Sequence, residues 1–295
     1  MPPLPKYERF HRKEGGRMTE RIAIIGAGVA GLTAGYLLAR RYDVRLYEKT
    51  DRIGGNAYTY ETRSGEEVDI AVAAFGKAGY PTFYKLLDHL GVRTKLCLGS
   101  YMSFHDLDRL TGIYLTPGMS GLLAQRFRLL SPSLLGQIRR LFRGVRKGRR
   151  MLSEGALDGL TMAQALERIP ELSAEARLMF LCTLCLLSSM SADEVLEAPA
   201  WFFFHKLDVH NDVVSPRATY SVRAVENKTK SYIEALAAPI RDSIVLSADI
   251  AAVERTPQNV TIVLRDGRRE EFDKVVFACN ADQALELLEK PTEQE

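Results

Sequence analysis

The chain of 295 residues is poor in cysteine, has no long apolar run and shows no recognisable signal peptide. Four cysteines are too few for a disulfide-stapled fold of this length, so we expect a reducing, cytoplasmic setting. The N-terminus lacks the apolar core that a secretory leader requires. The longest apolar run extends from Leu178 to Leu187, which is too short to cross a bilayer, so no transmembrane helix is expected.

Acidic residues are missing from the stretch between Asp108 and Glu154. That stretch holds ten basic residues: Arg109, Arg126, Arg128, Arg139, Arg140, Arg143, Arg146, Lys147, Arg149 and Arg150. The net charge of +3 is small, and without these ten charges the rest of the chain would be acidic. No recognition motif accompanies the basic residues, so nucleic acid is not expected as a partner.

Four apolar residues share one helical face within this basic stretch: Ile138, Leu141, Phe142 and Val145. An apolar face bordered by arginines is typical of a helix that lies on an anionic membrane. The same pattern is also typical of a surface helix with a solvated charged face. Peripheral membrane contact through residues 126–150 is therefore one of two expectations, and it would make this cytoplasmic protein membrane-associated.

The beginning of the chain has the pattern of a βαβ unit. Residues 1–20 are polar and charged and are expected to form a disordered tail. Apolar strands are predicted at Arg21–Ile25 and Val44–Tyr47, with a helix at Ala30–Arg41 between them. A second helix is predicted at Thr82–Leu90, where Gly91 would end it.

A long middle segment separates this unit from a second group of strands. The pattern from about Tyr101 to Leu236 is mostly helical, with Thr161 as an N-cap and a buried helix at Glu175–Met190. Strands resume near Ile244. They are predicted at Val245–Leu246, Ile250–Glu254, Val260–Leu264 and Lys274–Ala278, with a hairpin turn at 265–268. The predicted class is α/β, with a discontinuous Rossmann-type domain at 21–76 and 244–295 and a mostly helical substrate or cap domain at 77–243.

The strongest motif is the glycine-rich turn between the first strand and the first helix. It reads Gly26, Ala27, Gly28, Val29, Ala30 and Gly31. Gly26 would permit the tight turn, Gly28 would let a pyrophosphate approach the backbone, and Gly31 would let helix and strand pack closely. The first amides of the helix would then face the phosphates, where the helix dipole favours negative charge.

An acidic residue and a second glycine pair follow this motif at a short distance. Glu48 ends the second strand, where its carboxylate can accept hydrogen bonds from ribose hydroxyls and would repel a 2′-phosphate. Gly54 and Gly55 permit a turn free of side chains, through which a second phosphate or the flavin edge can approach. A plain NAD dehydrogenase does not need this second turn, which disfavours that alternative.

Two runs, GAGVAGL from Gly26 and LYEKTDRIGGN from Leu46, resemble the FAD-binding N-terminus of the amine oxidase, protoporphyrinogen oxidase and phytoene desaturase superfamily. The run VVFACNADQAL from Val275 is similar to one subgroup, the predicted NAD/FAD-binding proteins that resemble the oxidase-like N-terminal domain of plant cyclopropane fatty-acid synthases. The resemblance implies FAD as cofactor, held in part by a later strand at Ile250. The expected cofactor-binding residues are Gly26, Ala27, Gly28, Val29, Ala30, Gly31, Glu48, Lys49, Arg52, Gly54, Gly55, Asn56 and Ile250.

The chain departs from this family at several points. The family's Gly-Phe pair is replaced at residues 70–76, and Asn56 and Asn280 stand where histidine is common. Family members also continue well beyond the segment that ends here. We therefore expect that the sequence is a fragment, that a second polypeptide supplies the rest, or that the protein binds FAD incompletely. The resemblance implies an FAD-dependent oxidoreductase acting on a hydrophobic, lipid-like substrate, and the alternative is a truncated, non-catalytic flavin-binding or interaction protein. No catalytic residue is assigned.

Three further groups of residues have less specific patterns. Cys182 and Cys185 have CxxC spacing inside an apolar segment, which favours buried core cysteines over a redox pair or a zinc site. His205 and His210 flank Asp208 without a metal-ligand spacing, so no metal site is expected. The aromatic run Trp201–Phe204 is predicted to be core, with the lining of an apolar substrate tunnel as the alternative.

Overall fold

The computed structural model describes residues 20–71, 74–77, 79–97, 102–106, 111–115, 132–209 and 222–295. Of the predicted tail 1–20, only Glu20 is among the described residues. Four other residues singled out in the sequence also lie outside the described ranges: Arg109, Arg126, Arg128 and His210. The helices are α1 (Val29–Leu38), α2 (Pro81–His89), α3 (Pro132–Ser153), α4 (Met162–Glu167), α5 (Ala174–Ser188), α6 (Ala192–Glu197), α7 (Ala200–Val209), α8 (Lys230–Ala237) and α9 (Ala281–Leu287), with a 3-10 turn at Ala238–Ser243.

The strands fall into several small sheets. They are β1 (Arg21–Ile25), β2 (Asp43–Tyr47), β3 (Thr59–Glu61), β4 (Glu67–Asp69), β5 (Phe75–Gly76), β6 (Thr94–Leu96), β7 (Met102–Asp106), β8 (Thr111–Leu115), β9 (Val222–Val225), β10 (Ile244–Val245), β11 (Ile250–Arg255), β12 (Val260–Leu264), β13 (Arg269–Phe272) and β14 (Lys274–Phe277). No helix in the described part of the chain combines the length and the apolar character that a membrane span needs.

Two compact units make up the chain. One comprises Met1–Ala74, Thr82–Lys95 and Ala224–Glu295, and the other comprises Phe75–Pro81 and Leu96–Arg223. These boundaries differ from the predicted domains, because α2 and α8 belong to the first unit. The Tyr36 hydroxyl lies 3.0 Å from Nε2 of His89, which ties α2 to α1, and α8 packs against α1.

The first unit is built on a parallel four-stranded sheet in the order β10-β2-β1-β14. Each residue of β1 from Ile22 to Ile25 is at most 5% exposed, as expected for a strand covered on both faces. The pairs Ile25–Tyr47 and Ile25–Phe277 align the carboxyl ends of β1, β2 and β14. A separate antiparallel sheet, β11-β12-β13, includes the predicted hairpin turn, where Gly267 has a φ of 89°. The Rossmann-type α/β class is confirmed.

The first helix is shorter than predicted. α1 ends at Leu38 instead of Arg41, because the amide of Arg41 bonds to the carbonyl of Leu38 in a tight turn. That turn returns the chain to β2, which begins at Asp43. The helix predicted at Thr82–Leu90 is confirmed within one residue, and Gly91 follows it with a φ of 68°.

The second unit is helical over its central part and not throughout. The prediction of a mostly helical segment from about residue 101 is wrong for β7 and β8. These two strands pair in an antiparallel hairpin, in which Met102 lies opposite Leu115 and Asp106 lies opposite Thr111. The strand β9 was also not predicted. These strands pair with partners that local periodicity does not reveal.

The core of the second unit is apolar and closely packed. Phe203 and Phe204 are almost fully buried and lie in one cluster with Phe180 and Leu184. Thr161 caps α4 as predicted, since its hydroxyl accepts from the Gln164 amide and the Gln164 side chain accepts from the Thr161 amide.

The predicted burial of α5 holds for one face only. Leu178 and Leu186 are 63% and 67% exposed. Cys182 is exposed as well, whereas Cys185 is partly buried against the core cluster. The prediction of two buried cysteines is therefore wrong for Cys182, which lies on the exposed face of the helix with Leu178 and Leu186.

Candidate functional site

The candidate site begins where β1 ends in the first unit. Gly26 has a φ of 102°, and a Cβ there would lie 2.7 Å from the carbonyl oxygen of Ala278. Only glycine avoids both the strained backbone and this clash. A Cβ on Gly31 would overlap the carbonyl oxygen of Gly26, so Gly31 permits the close approach of α1 to the turn. These two glycines are required by the fold itself.

Gly28 lies in a different environment. It is the N-cap of α1 with an extended backbone (φ −69°, ψ −178°) that any residue can adopt. A Cβ on Gly28 would meet only the Cα of Gly55, at 3.9 Å. No contact within the described part of the chain therefore demands glycine at this position. The open space beside Gly28 is suited to a group that approaches the backbone closely, such as a pyrophosphate.

The second glycine pair lies directly against the first turn. The amide of Gly54 donates to the carbonyl oxygen of Ala27 at 2.8 Å, and Gly28 and Gly54 form an isolated parallel bridge. Gly54 and Gly55 have φ values of 104° and 58°. A Cβ on Gly55 would lie 3.1 Å from the Cα of Gly28. The two turns thus form one surface of bare backbone at the N-terminus of α1.

Glu48 connects the two turns. It is 8% exposed, and its Oε2 accepts from the amide of Ala27 at 2.8 Å. Its Oε1 accepts from the amide and the hydroxyl of Thr50, at 3.0 and 2.9 Å. The expected ribose acceptor is therefore also a structural support for the first turn. Oε1 already accepts two hydrogen bonds, whereas Oε2 accepts one and keeps a lone pair with which to accept a ribose hydroxyl.

The other expected cofactor-binding residues lie around this surface of bare backbone. Val29 and Ala30 form the first turn of α1, whose free amides begin there. Arg52 donates to the carbonyl of Gly55 at 2.9 Å and stacks on Tyr58, 4.2 Å from the ring centroid, so it supports the second turn. Lys49 and Asn56 are exposed.

Ile250 opens β11 and packs, partly buried, against a core cluster that contains Ala23, Ile25 and Tyr47. The segment just before Ile250 lies along the end of β2. There the amide of Ser247 donates to Thr50 and the amide of Ala248 donates to the carbonyl of Glu48, both at 2.8 Å. The later strand is thus held beside the expected ribose acceptor.

Sequence reasoning missed three residues that position the site. Thr50 holds Glu48, Ala278 lies against Gly26, and Ile233 of α8 would be 3.5 Å from a Cβ on Gly54. Burial raises the pKa of the nearby Cys279 thiol, so this cysteine stays protonated at neutral pH. Ala278 and Ile233 act through contacts between distant segments, which carry no local signal, whereas Thr50 lies only two residues from Glu48.

The remaining candidate groups do not assemble into sites. Burial and the neighbouring Cys182 raise the pKa of the Cys185 thiol, the opposite of a reactive redox cysteine. Asp208 pairs with Arg149 at 2.7 Å. In the part of the chain that the structure describes, no three histidine, cysteine, aspartate or glutamate side chains are grouped so as to hold a metal ion.

Comparisons with known proteins support the Rossmann assignment. The family model of the NAD(P)-binding Rossmann-like domain matches residues 24–90. The chain is 32% identical over 158 residues to tryptophan 2-monooxygenase of Rhizobium rhizogenes, covering 52% of this chain and 19% of that protein. It is 32% identical over 96 residues to the chloroplastic/chromoplastic zeta-carotene desaturase of Zea mays, covering 32% of this chain and 15% of that protein.

Solved structures share the fold over most of the chain. A putrescine oxidase bound to putrescine matches with a TM-score of 0.72 and 16% identity, over 92% of this chain and 60% of that one. Cyclohexylamine oxidase from Brevibacterium oxydans IH-35A matches with a TM-score of 0.69 and 18% identity, over 94% of this chain and 62% of that one. The chain spans at most a fifth of the curated relatives described above and about three fifths of these structures.

Proposed function

We propose that the first unit binds FAD and that the chain supplies the cofactor-binding part of a flavin-dependent oxidoreductase. The observation that carries this proposal is the bare backbone surface formed by Gly28 and Gly55. No contact within the described residues requires glycine at position 28, whereas a diphosphate lying against the surface would. The amides at the start of α1 provide donors and a favourable dipole for the negative charge.

FAD fits this site better than NADP or a free phosphate. Glu48 lies at the carboxyl end of β2, where its carboxylate favours ribose hydroxyls and repels a 2′-phosphate. A second glycine turn bonded to the first lengthens the surface beyond what one phosphate needs. Similarity to a tryptophan monooxygenase and a carotene desaturase points in the same direction.

Different residues of the site would bind different parts of the cofactor. Gly28, Gly55 and the first amides of α1 would hold the diphosphate, Glu48 the ribose, and the backbone near Ile250 the adenine. FAD, when bound, supplies the oxidoreductive chemistry by accepting two electrons from a substrate bond. The protein contributes binding, orientation and exclusion of water, and no side chain of this chain is assigned an acid or base role.

For the substrate, we propose an apolar and lipid-like molecule. The support is the similarity to zeta-carotene desaturase, whose name indicates a carotene substrate for that protein. The competing proposal is a flavin-binding protein without its own turnover. It is distinguished by whether an apolar substrate, added in the absence of oxygen, passes two electrons to the bound cofactor and bleaches it, and whether an acceptor then restores the oxidised form.

The test of FAD binding is direct. The full chain is purified, its visible spectrum is recorded, and dithionite is added; a yellow protein that bleaches supports the proposal. Cofactor released by heat is then identified by chromatography as FAD or FMN. Isothermal titration with FAD, NADH and NADPH completes the comparison. A colourless protein that binds NADH and ignores FAD would overturn the proposal.

A further inference from the structure

Helix α3 in the second unit carries a run of cations that the proposed flavin site does not use. Arg139, Arg143, Arg146 and Arg150 recur at helical spacing along one face, with Arg140 beside them; all five arginines are exposed. At a rise of 1.5 Å per residue the stripe is about 16 Å long. The helix carries no acidic residue.

The opposite face of α3 is covered by the unit's own core. Val145 is 5% exposed, and Leu141 packs against the core cluster. A Cβ on Gly144 or Gly148 would overlap the side chain of Leu172 or Phe204, respectively, so these glycines let the helix lie close to its neighbours. The apolar face that the sequence suggested for membrane insertion is therefore largely unavailable. Any contact through α3 has to be made by its charges.

The exposed arginines of α3 have no ion-pair partner among the residues that the structure describes. By contrast, Arg149 on the flank of the helix pairs with Asp208 at 2.7 Å and donates to the carbonyl of Leu207 at 2.9 Å. Like charges four residues apart destabilise a helix slightly. An anionic partner would relieve this repulsion, whereas water and salt only screen it.

The adjacent helix α7 exposes two aromatic side chains. Trp201 and Phe202 of α7 are 46% and 39% exposed, and Nζ of Lys206 lies 5.7 Å from the centroid of the Phe202 ring. The ion pair between Arg149 and Asp208 joins α3 to α7. Tryptophan beside basic residues is the composition that membrane interfaces favour.

We propose that this basic face, formed by the exposed arginines of α3 with Trp201 and Phe202, docks on the surface of an anionic phospholipid bilayer. The arginines would contact the headgroups while the two aromatic rings reach the interface. The cations lie along the exposed face of one helix, whereas proteins that bind a single nucleic-acid strand use a positively charged groove with aromatic side chains. The contact is electrostatic, and it therefore weakens as salt rises.

The experiment is co-sedimentation of the full chain with vesicles of phosphatidylcholine alone or with phosphatidylglycerol added. The test variant replaces Arg139, Arg143, Arg146 and Arg150 with glutamine. The control variant replaces four exposed arginines of the first unit, Arg41, Arg63, Arg265 and Arg268, and changes the net charge equally. Circular dichroism confirms that both variants are folded.

The wild type and the control are expected to sediment with anionic vesicles at low salt and not with neutral ones. A basic residue at an anionic surface contributes about 1 kcal/mol, or roughly fivefold, so the four substitutions together should weaken binding by roughly six-hundredfold. Trp201→Ala, which leaves the net charge of the protein unchanged, should also weaken vesicle binding relative to the wild type. Equal binding to both vesicle types, equal loss in both variants, or binding of duplex DNA without binding of vesicles would each overturn the proposal.

Discussion

Replacing Glu48 should reveal how much its carboxylate stabilises the first glycine turn. Its carboxylate accepts from the amide of Ala27, which is fully buried, and from two donors of Thr50, which is exposed. Removing the acceptor leaves the Ala27 amide unsatisfied, at a cost of about 1–3 kcal/mol, while Thr50 can turn to water. We therefore expect Glu48→Ala to lower the free energy of unfolding by about 2 kcal/mol.

Glu48→Gln should cost less, about 1 kcal/mol, because the amide oxygen can still face Ala27 while its NH₂ turns towards the solvated side. The assay is hydrogen exchange of the peptide that contains Ala27, together with urea unfolding. The alanine variant should exchange roughly thirtyfold faster at this amide, since each 1.4 kcal/mol is a factor of ten. Glu61→Gln, at an exposed glutamate of the same unit, is the control. Unchanged exchange in Glu48→Ala would refute the structural role of Glu48.

Three other predictions concern stability. Gly31→Ala should lower the free energy of unfolding by about 3 kcal/mol in urea titrations, because its Cβ would overlap the Gly26 carbonyl; wild-type stability would contradict that packing. Thr161→Ala should cost about 1 kcal/mol by removing the cap of α4, and Thr161→Ser should restore it. Burial and Asp69 raise the pKa of Tyr232 to about 12, so stability should fall as pH rises from 10 through 12, and Tyr232→Phe should reduce that fall; parallel pH profiles would contradict this.

Local patterns predicted the elements whose requirements are local. The turn at Gly26 and the end of α2 at Gly91 need positive φ values, which glycine supplies. The apolar run from Ile22 to Ile25 indicated the strand β1. Thr161, as an N-cap residue, indicated the start of α4.

Contacts between distant segments were not predictable in the same way. The hairpin of β7 and β8 joins neighbouring segments, yet it lay within a stretch interpreted as mostly helical, because strand pairing depends on a partner and not on the periodicity of one segment. The bond from the Ala27 amide to Glu48 joins residues 21 positions apart, and only the folded turn shows it. For α3, the sequence indicated which residues share a face, but the core that covers Val145 comes from other helices.

The most direct measurement of the central claim is FAD occupancy after substitution of Gly28. Its backbone is compatible with any residue, and a Cβ would meet only Gly55 at 3.9 Å, so Gly28→Ala and Gly28→Leu should fold with nearly wild-type thermal stability. Gly136→Ala, which meets nothing within 4 Å in the second unit, is the control. The account predicts that Gly28→Leu purifies without FAD while the control keeps it. A folded Gly28→Leu protein with the same FAD content as the wild type would contradict the account.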